Sequence, residues 1–296
     1  ILDQNGNKQW DLGASVSQGG VSYGARTQNN GRHGIAEHML NDRQFERNTI
    51  QSRSFVEFSF LKDFKFKVSH AFDINNYLFG RYENKLVGDG APQGRSTREN
   101  SLRYTTTIIQ MLTYQKSFGK HDINVMAAHE SYENKYKYLY GFRQGEIVPG
   151  NTELINFTTT NDLYSYVDRH SVEGYLTRAT YSFDNGKYTA EGSYRRDGSS
   201  KFEKVARWGD FWSIGGGWRI DKESFMTNLK FVDYLKLRAS YGLNGNDGGI
   251  SYYAWQVLYN YYNNSAEPGF IQSTTPGNPL LQWETTIQTD IGLEFN

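Results

Sequence analysis

Apolar and polar residues take turns one by one over much of this chain. In 188–195, Tyr188, Ala190, Gly192 and Tyr194 share one parity, and Thr189, Glu191, Ser193 and Arg195 share the other. In 235–242, Leu235, Leu237, Ala239 and Tyr241 alternate with Lys236, Arg238, Ser240 and Gly242. Trp283, Ile287, Ile291, Leu293 and Phe295 oppose Glu284, Gln288, Asp290 and Glu294. Trp212, Ile214, Trp218 and Ile220 fall on one side of 211–220, as do Phe64, Phe66, Val68, His70 and Phe72 in 64–72. Successive side chains leave a strand on opposite faces, so a period of two predicts half-buried strands. The pattern predicts roughly ten of them, near 9–17, 51–61, 64–74, 102–117, 121–137, 171–183, 187–196, 211–220, 234–243 and 282–295.

The connections have their own rhythm. "LKDFK" (61–65), "SFGKH" (117–121) and "FDNGK" (183–187) read as tight hairpin turns. The segment 221–233 reads as a longer link with one helical turn. Long polar segments fall between these, at 18–51, 75–102, 138–170, 197–210 and 243–282. All exceed the usual loop length. Short turns on one side and long loops on the other are the layout of a transmembrane β-barrel. A tilted spanning strand needs about 9–11 residues, close to the length of these runs. The pair 102–117 and 121–137 is longer and is expected to project beyond the membrane.

Composition narrows this further. The 296 residues are 16% aromatic, with 22 Tyr, 18 Phe and 30 Gly but only 5 Pro. Tyr, Phe, Thr and Gly favour strands and turns over helices. The chain has no cysteine, so disulfides and thiolate sites are out of reach. Its formal net charge is zero, which gives no electrostatic ground for a nucleic-acid partner. No run approaches 18 apolar residues, which excludes a spanning helix but not a barrel. Trp10, Tyr114, Tyr188, Tyr194, Trp212, Trp218, Tyr234, Tyr241, Trp283 and Phe295 are expected at the two membrane interfaces, with charged alternate positions facing a watery or plugged lumen. A soluble β-sandwich or propeller shares the alternation. Against it stand the asymmetric connections and the shortage of Leu and Val on the would-be inner faces. The first residue is not Met, no signal peptide precedes the first strand, and the last residues follow directly on an alternating run. A piece of a longer chain is the expectation.

The motifs carry little catalytic chemistry. The six histidines are scattered, and His33 and His38 are wrongly spaced for one helical face, so no metal or cofactor is expected. "NGNDGG" (244–249) lacks the calcium-loop pattern and reads as turn formers. "YRRDGSSKF" (194–202) gathers Arg195, Arg196, Asp197, Gly198, Ser199 and Ser200, but it has no G-x-S-x-G elbow and no histidine follows either serine. It reads as a strand–loop junction. Tyr194 ends the apolar row, Arg195 continues the lumen row, Arg196 leaves the membrane and 197–200 turn outside it. The loop 247–270 is rich in rings that stack on sugars or grip peptides. Tyr252, Tyr253, Trp255, Tyr259 and Tyr261 are its candidates for contact with a ligand or a covering protein.

Five stretches in order resemble the SusC/RagA family of TonB-dependent outer-membrane transporters: 3–13, 187–202, 207–226, 235–246 and 277–295. The resemblance spans nearly the whole chain and is strongest from about residue 171 onward; 18–50 and 75–100 match only loosely. It implies an all-β fold in which residues 1–296 are an antiparallel segment of a barrel of about 22 strands. The plug, the TonB-contacting segment and the closing strands would lie outside that segment. It further implies a SusD-like surface lipoprotein as a lid, TonB as a partner through the missing N-terminal part, contact with outer-membrane lipid, and glycans or peptides as cargo. No enzymatic step is implied. A siderophore or metal-chelate receptor without a lid and a soluble β-sheet glycan-binding domain are the alternatives.

Overall fold

The computed structural model describes Trp10 and residues 16–18, 21–23, 31–227, 229, 231–264 and 267–296. A short hairpin, β1 (Val16–Gln18) and β2 (Val21–Tyr23), precedes one helix, α1 (Gly34–Leu40). Then come β3 (Asp42–Phe60), β4 (Phe64–Glu83), β5 (Arg95–Phe118), β6 (His121–Glu146), β7 (Phe157–Phe183), β8 (Tyr188–Ser199), β9 (Trp208–Arg219) and β10 (Leu235–Asn246). A second hairpin, β11 (Tyr259–Asn264) and β12 (Glu267–Gln272), comes before β13 (Glu284–Phe295). The strands β3 to β10 and β13 form one nine-stranded sheet in chain order, with β3 and β13 at its edges. The chain divides into two compact units. One holds Ile1–Ile50, Ile74–Arg103 and Tyr136–Val167, the other Gln51–Asp73, Tyr104–Lys135 and Asp168–Asn296.

Nine of the ten expected strands are present. The segment 9–17 lies mostly outside the described residues. The expected turns stand at 61–63, 119–120 and 184–187. Leu61 and Lys62 have φ of 50° and 60°, and Asp184 and Asn185 have φ of 50° and 55°. Left-handed central residues match the twist of the flanking strands, and the hairpin imposes that conformation even on a leucine. The expected helical turn in the link is a pair of 3-10 turns, Ile220–Lys222 and Ser224–Met226. Glu223 fastens them, accepting from Lys187 Nζ at 2.8 Å, Tyr188 Oη at 2.5 Å and Trp218 Nε1 at 2.9 Å.

Two expected loops are largely strand. β4 continues to Glu83 and β5 begins at Arg95, so little of 75–102 is loop; β6 and β7 likewise take up most of 138–170. The alternation fades there because both faces of a sheet outside the membrane meet polar surroundings. Pairing then rests on the backbone ladder and cross-strand contacts, which a hydrophobic pattern does not register.

The register separates the two faces. Directly opposed residues of an antiparallel pair lie on the same face. On one face Tyr188 opposes Trp218, Gly192 opposes Ile214 and Tyr194 opposes Trp212. The row continues with Ile214 against Tyr241, Ala239 against Ile291 and Leu243 against Ile287. On the other face Glu191 opposes Gly215, Ser193 opposes Ser213 and Ser240 opposes Asp290. The first face is apolar and exposed, with Ile214 at 57%, Ile287 at 65% and Ile291 at 74%. Trp208 and Trp218 lie ten residues apart on β9. At about 3.3 Å per residue and a tilt of about 40°, they bracket a band about 25 Å tall, the thickness of a barrel's apolar girdle.

Two tryptophans leave the expected belts. Trp283 precedes β13 and turns onto the charged side, packing on Phe202 and Phe211 at 5.3 Å each, and its Nε1–H donates to Arg207 O at 2.9 Å. Glycine makes room for it, since a Cβ on Gly209 would meet the Trp283 ring at 2.9 Å. Trp10 packs on His33 at 5.3 Å, beside the start of α1.

Candidate ligand-binding surface

The motif 194–202 is a clamp. β8 continues to Ser199, so Arg196, Asp197, Gly198 and Ser199 lie in the ladder between β7 and β9 instead of forming a turn. Ser199 is fully buried. Its Oγ donates to Asp247 Oδ2 at 2.7 Å, and His170 Nε2 lies 3.3 Å from Ser199 Oγ. A search for a histidine downstream of the serines misses His170, which the neighbouring strand β7 supplies. The trio still lacks a nucleophile's geometry. A general base must accept the hydroxyl proton, and here that proton points to Asp247. Burial, then the nearby Lys201 ammonium, lowers the pKa of His170. Lys201 Nζ donates to Asp247 O at 2.8 Å, and Ser171 N–H donates to Ser200 Oγ at 3.0 Å. The cluster fixes the loop after β10 to the middle of β7 and the end of β8. Arg195 faces the charged side, bonded to Asp197 at 2.6 Å and to Glu130 at 3.0 Å. Arg196 lies on the apolar side, over Trp208 at 5.6 Å.

The five loop aromatics are not gathered in one place. Tyr252 stacks on His170 at 5.1 Å, and Tyr253 Oη accepts from Arg169 N–H at 3.3 Å. Trp255 is half-buried, and its indole N–H has no acceptor among the described residues. Tyr259 and Tyr261 stand on the β11–β12 hairpin, Tyr259 edge-on to Phe270 at 5.5 Å and Tyr261 96% exposed.

A larger aromatic surface lies where the sequence pattern indicated a loop. Tyr136, Tyr138 and Tyr140 on β6 share one face with Tyr164 and Tyr166 on β7. Tyr138 lies 5.3 Å from Tyr166 and 6.0 Å from Tyr164, Tyr136 lies 6.1 Å from Tyr166, and Tyr140 lies 5.2 Å from Tyr164. On the adjoining strand β5, Arg103 covers Tyr136 at 5.1 Å, and Glu99 accepts from Tyr138 Oη at 2.9 Å. On β3 and β4, Arg43 lies over Phe79 at 5.3 Å and Arg47 over Tyr77 at 5.9 Å. Along β6 these tyrosines have the same parity as Asp122, Asn124 and Glu130. Burial and the Glu99 carboxylate hold the Tyr138 phenol well above the ordinary tyrosine range; burial and then Asp162 raise Tyr140. The phenols therefore stay neutral donors. The signal was present in "YKYLY" (136–140) and "YSY" (164–166), tyrosines spaced by two.

The charged side of the other unit has a depression of about 380 Å³, lined by Thr180, Thr189, Glu191, Lys236, Arg238 and Ser240. Its charges are largely matched: Arg178 pairs with Glu191 at 2.6 Å, and Arg238 with Asp290 at 3.1 Å and Glu294 at 3.2 Å.

A family model described as TonB dependent receptor-like, beta-barrel matches residues 2–296. A TonB-dependent receptor of Formosa agariphila is 30% identical over 280 residues, which cover 88% of this chain and 25% of that protein. The TonB-dependent receptor SusC of Bacteroides thetaiotaomicron is 29% identical over 199 residues, covering 65% of this chain and 19% of SusC. Among solved structures, that of the RagAB peptide transporter matches with a TM-score of 0.80 at 24% identity, covering 88% of this chain and 29% of that one. This chain thus spans about a quarter of the length, or less, of these curated relatives.

Proposed function

Because the chain belongs to the TonB-dependent receptor-like β-barrel family, we propose that residues 1–296 form part of the wall of a barrel importing nutrient oligomers, glycans or peptides, across the bacterial outer membrane. The family places the chain in that membrane. One observation supports the wall role above the others. The register puts Trp218, Ile214, Tyr241, Ala239 and Ile291 on one exposed face and Glu191, Ser240 and Asp290 on its reverse. Exposed apolar surface of that extent suits lipid, and the reverse face suits a polar lumen.

In this reading plug, TonB-contacting segment and closing strands lie outside residues 1–296, and a SusD-like lipoprotein covers the barrel. Resemblance to SusC and to the RagAB pair supports that assembly. Ligand is held between lid and wall and released when the plug moves, which requires a difference in affinity between open and closed states. Tyr259 and Tyr261, the most exposed of the five loop aromatics, suit contact with the lid, whereas Tyr252 and Tyr253 hold the loop down. The test is purification of the full-length protein from outer membranes. Extraction only with detergent, with a lipoprotein in stoichiometric amount, supports the proposal. Recovery in the aqueous fraction overturns the wall role, and purification without a lipoprotein overturns the lid.

A further inference from the structure

Three arginines on the tyrosine-bearing face have no acidic partner among the described residues. Arg43, Arg47 and Arg103 each lie over an aromatic ring, and none is paired with a carboxylate among the described residues. Their neighbours differ. Arg32 bridges Glu37 and Asp89, Arg95 binds Glu83, Arg81 binds Glu83 at 2.6 Å, and Arg98 reaches Glu153 at 3.3 Å. Of the carboxylates beside these tyrosines, Glu99 already accepts from Tyr138, and Asp162 lies close to Tyr140. A guanidinium stacked on a ring keeps its in-plane N–H donors for a ligand.

The mode of binding follows from the sheet. β4 to β7 are interior strands whose backbone groups are taken up by neighbours on both sides. A peptide cannot add as a further strand to these, which bear the tyrosines and Arg103, so recognition there falls to side chains. Rows of tyrosine offer flat faces and hydroxyls at low entropic cost, which suits the C–H faces of sugar rings. Guanidinium forks suit carboxylates and sulfates. We infer that this face binds an acidic oligosaccharide, with Tyr136, Tyr138 and Tyr164 stacking on its rings and Arg43, Arg47 and Arg103 holding its anionic groups. The inference rests on the importer reading and names the cargo class within it.

The test uses the full-length protein from outer membranes, with any lipoprotein that accompanies it. Calorimetric titration compares three probes: hexagalacturonate, maltohexaose as a neutral sugar of equal length, and hexaglutamate as an acidic peptide. Hexagalacturonate should bind at least about tenfold more tightly than maltohexaose, and its affinity should fall as salt rises. Arg103→Gln should weaken it about tenfold, the size expected for losing one charge-assisted hydrogen bond. Arg43→Gln/Arg47→Gln should weaken it again. Membrane extraction and lipoprotein recovery are measured on the same preparations, so failure of the importer reading shows independently of binding. Equal affinity for the two sugars overturns the inference, as does hexagalacturonate binding unchanged in the arginine variants, or tighter binding of hexaglutamate, in assembled protein.

Discussion

Arginine at Ile214 offers the sharpest test of which face meets lipid. Ile214 is 57% exposed and lies four residues from Trp218 and six from Trp208 on the same strand. At about 3.3 Å per residue and a tilt of about 40°, it stands about 10 Å from one belt and about 15 Å from the other, near mid-membrane. A guanidinium there loses its water and gains no partner, because the register surrounds Ile214 with Gly192 and Tyr241. Ile214→Arg should cost about 2–4 kcal/mol, about 30- to 700-fold in the folding equilibrium. Ser240→Arg is the matched control. Ser240 lies on the adjoining strand, on the opposite face, directly across from Asp290, and should cost less than about 0.5 kcal/mol. The assay is urea unfolding of the full-length protein in lipid vesicles, followed by tryptophan fluorescence. Equal midpoints for Ile214→Arg and wild type, or an equally large loss for Ser240→Arg, would refute the assignment of faces.

The clamp makes a pH-dependent prediction. Opened, His170 would titrate near its ordinary value of about 6.5; closed, its pKa is lower. The opened form therefore takes up protons first, so closure is fully favoured above about pH 6.5 and weakens as pH falls below it. Ser199, Lys201, Asp247, Tyr132 and Tyr252 are the groups facing the ring. Hydrogen exchange of 247–253 should accelerate between pH 7 and 5, and no change would count against it. Ser199→Ala removes the hydroxyl that donates to the half-buried Asp247 carboxylate and should destabilise the closed loop by about 1–3 kcal/mol, read by the same exchange. Glu223, held near about 2 by Lys187, Tyr188 and Trp218, should stabilise the link above its ordinary carboxylate value and lose that effect as pH falls towards about 2. Glu223→Gln should lower the melting temperature at pH 7 and leave it nearly unchanged at pH 2; equal losses at both would exclude a charge effect. A Cβ on Gly245 would sit 2.0 Å from the Phe211 ring, so Gly245→Val should cost about 1–3 kcal/mol through the Phe211–Trp283 packing, measured as reduced assembly.

The membrane-spanning half of the molecule was legible in the sequence because lipid and lumen impose opposite polarity on successive residues. The apolar row through Tyr188, Trp218, Leu237 and Leu293 was readable one strand at a time, and so were the turns at 61–63, 119–120 and 184–187. Outside the membrane that constraint lapses. The extensions of β4 to β7 carry tyrosine, arginine and asparagine on surfaces that water also touches, so their alternation resembled loop sequence. The tyrosines of β6 and β7 and the arginines of β3 and β5 are far apart in the chain, and only strand pairing brings them onto one face. The same holds for His170, Ser199 and Asp247, which lie on three separate segments. Residue type and periodicity determined the strands and their two faces. Register, which depends on every turn and cross-strand contact at once, decided which side chains meet.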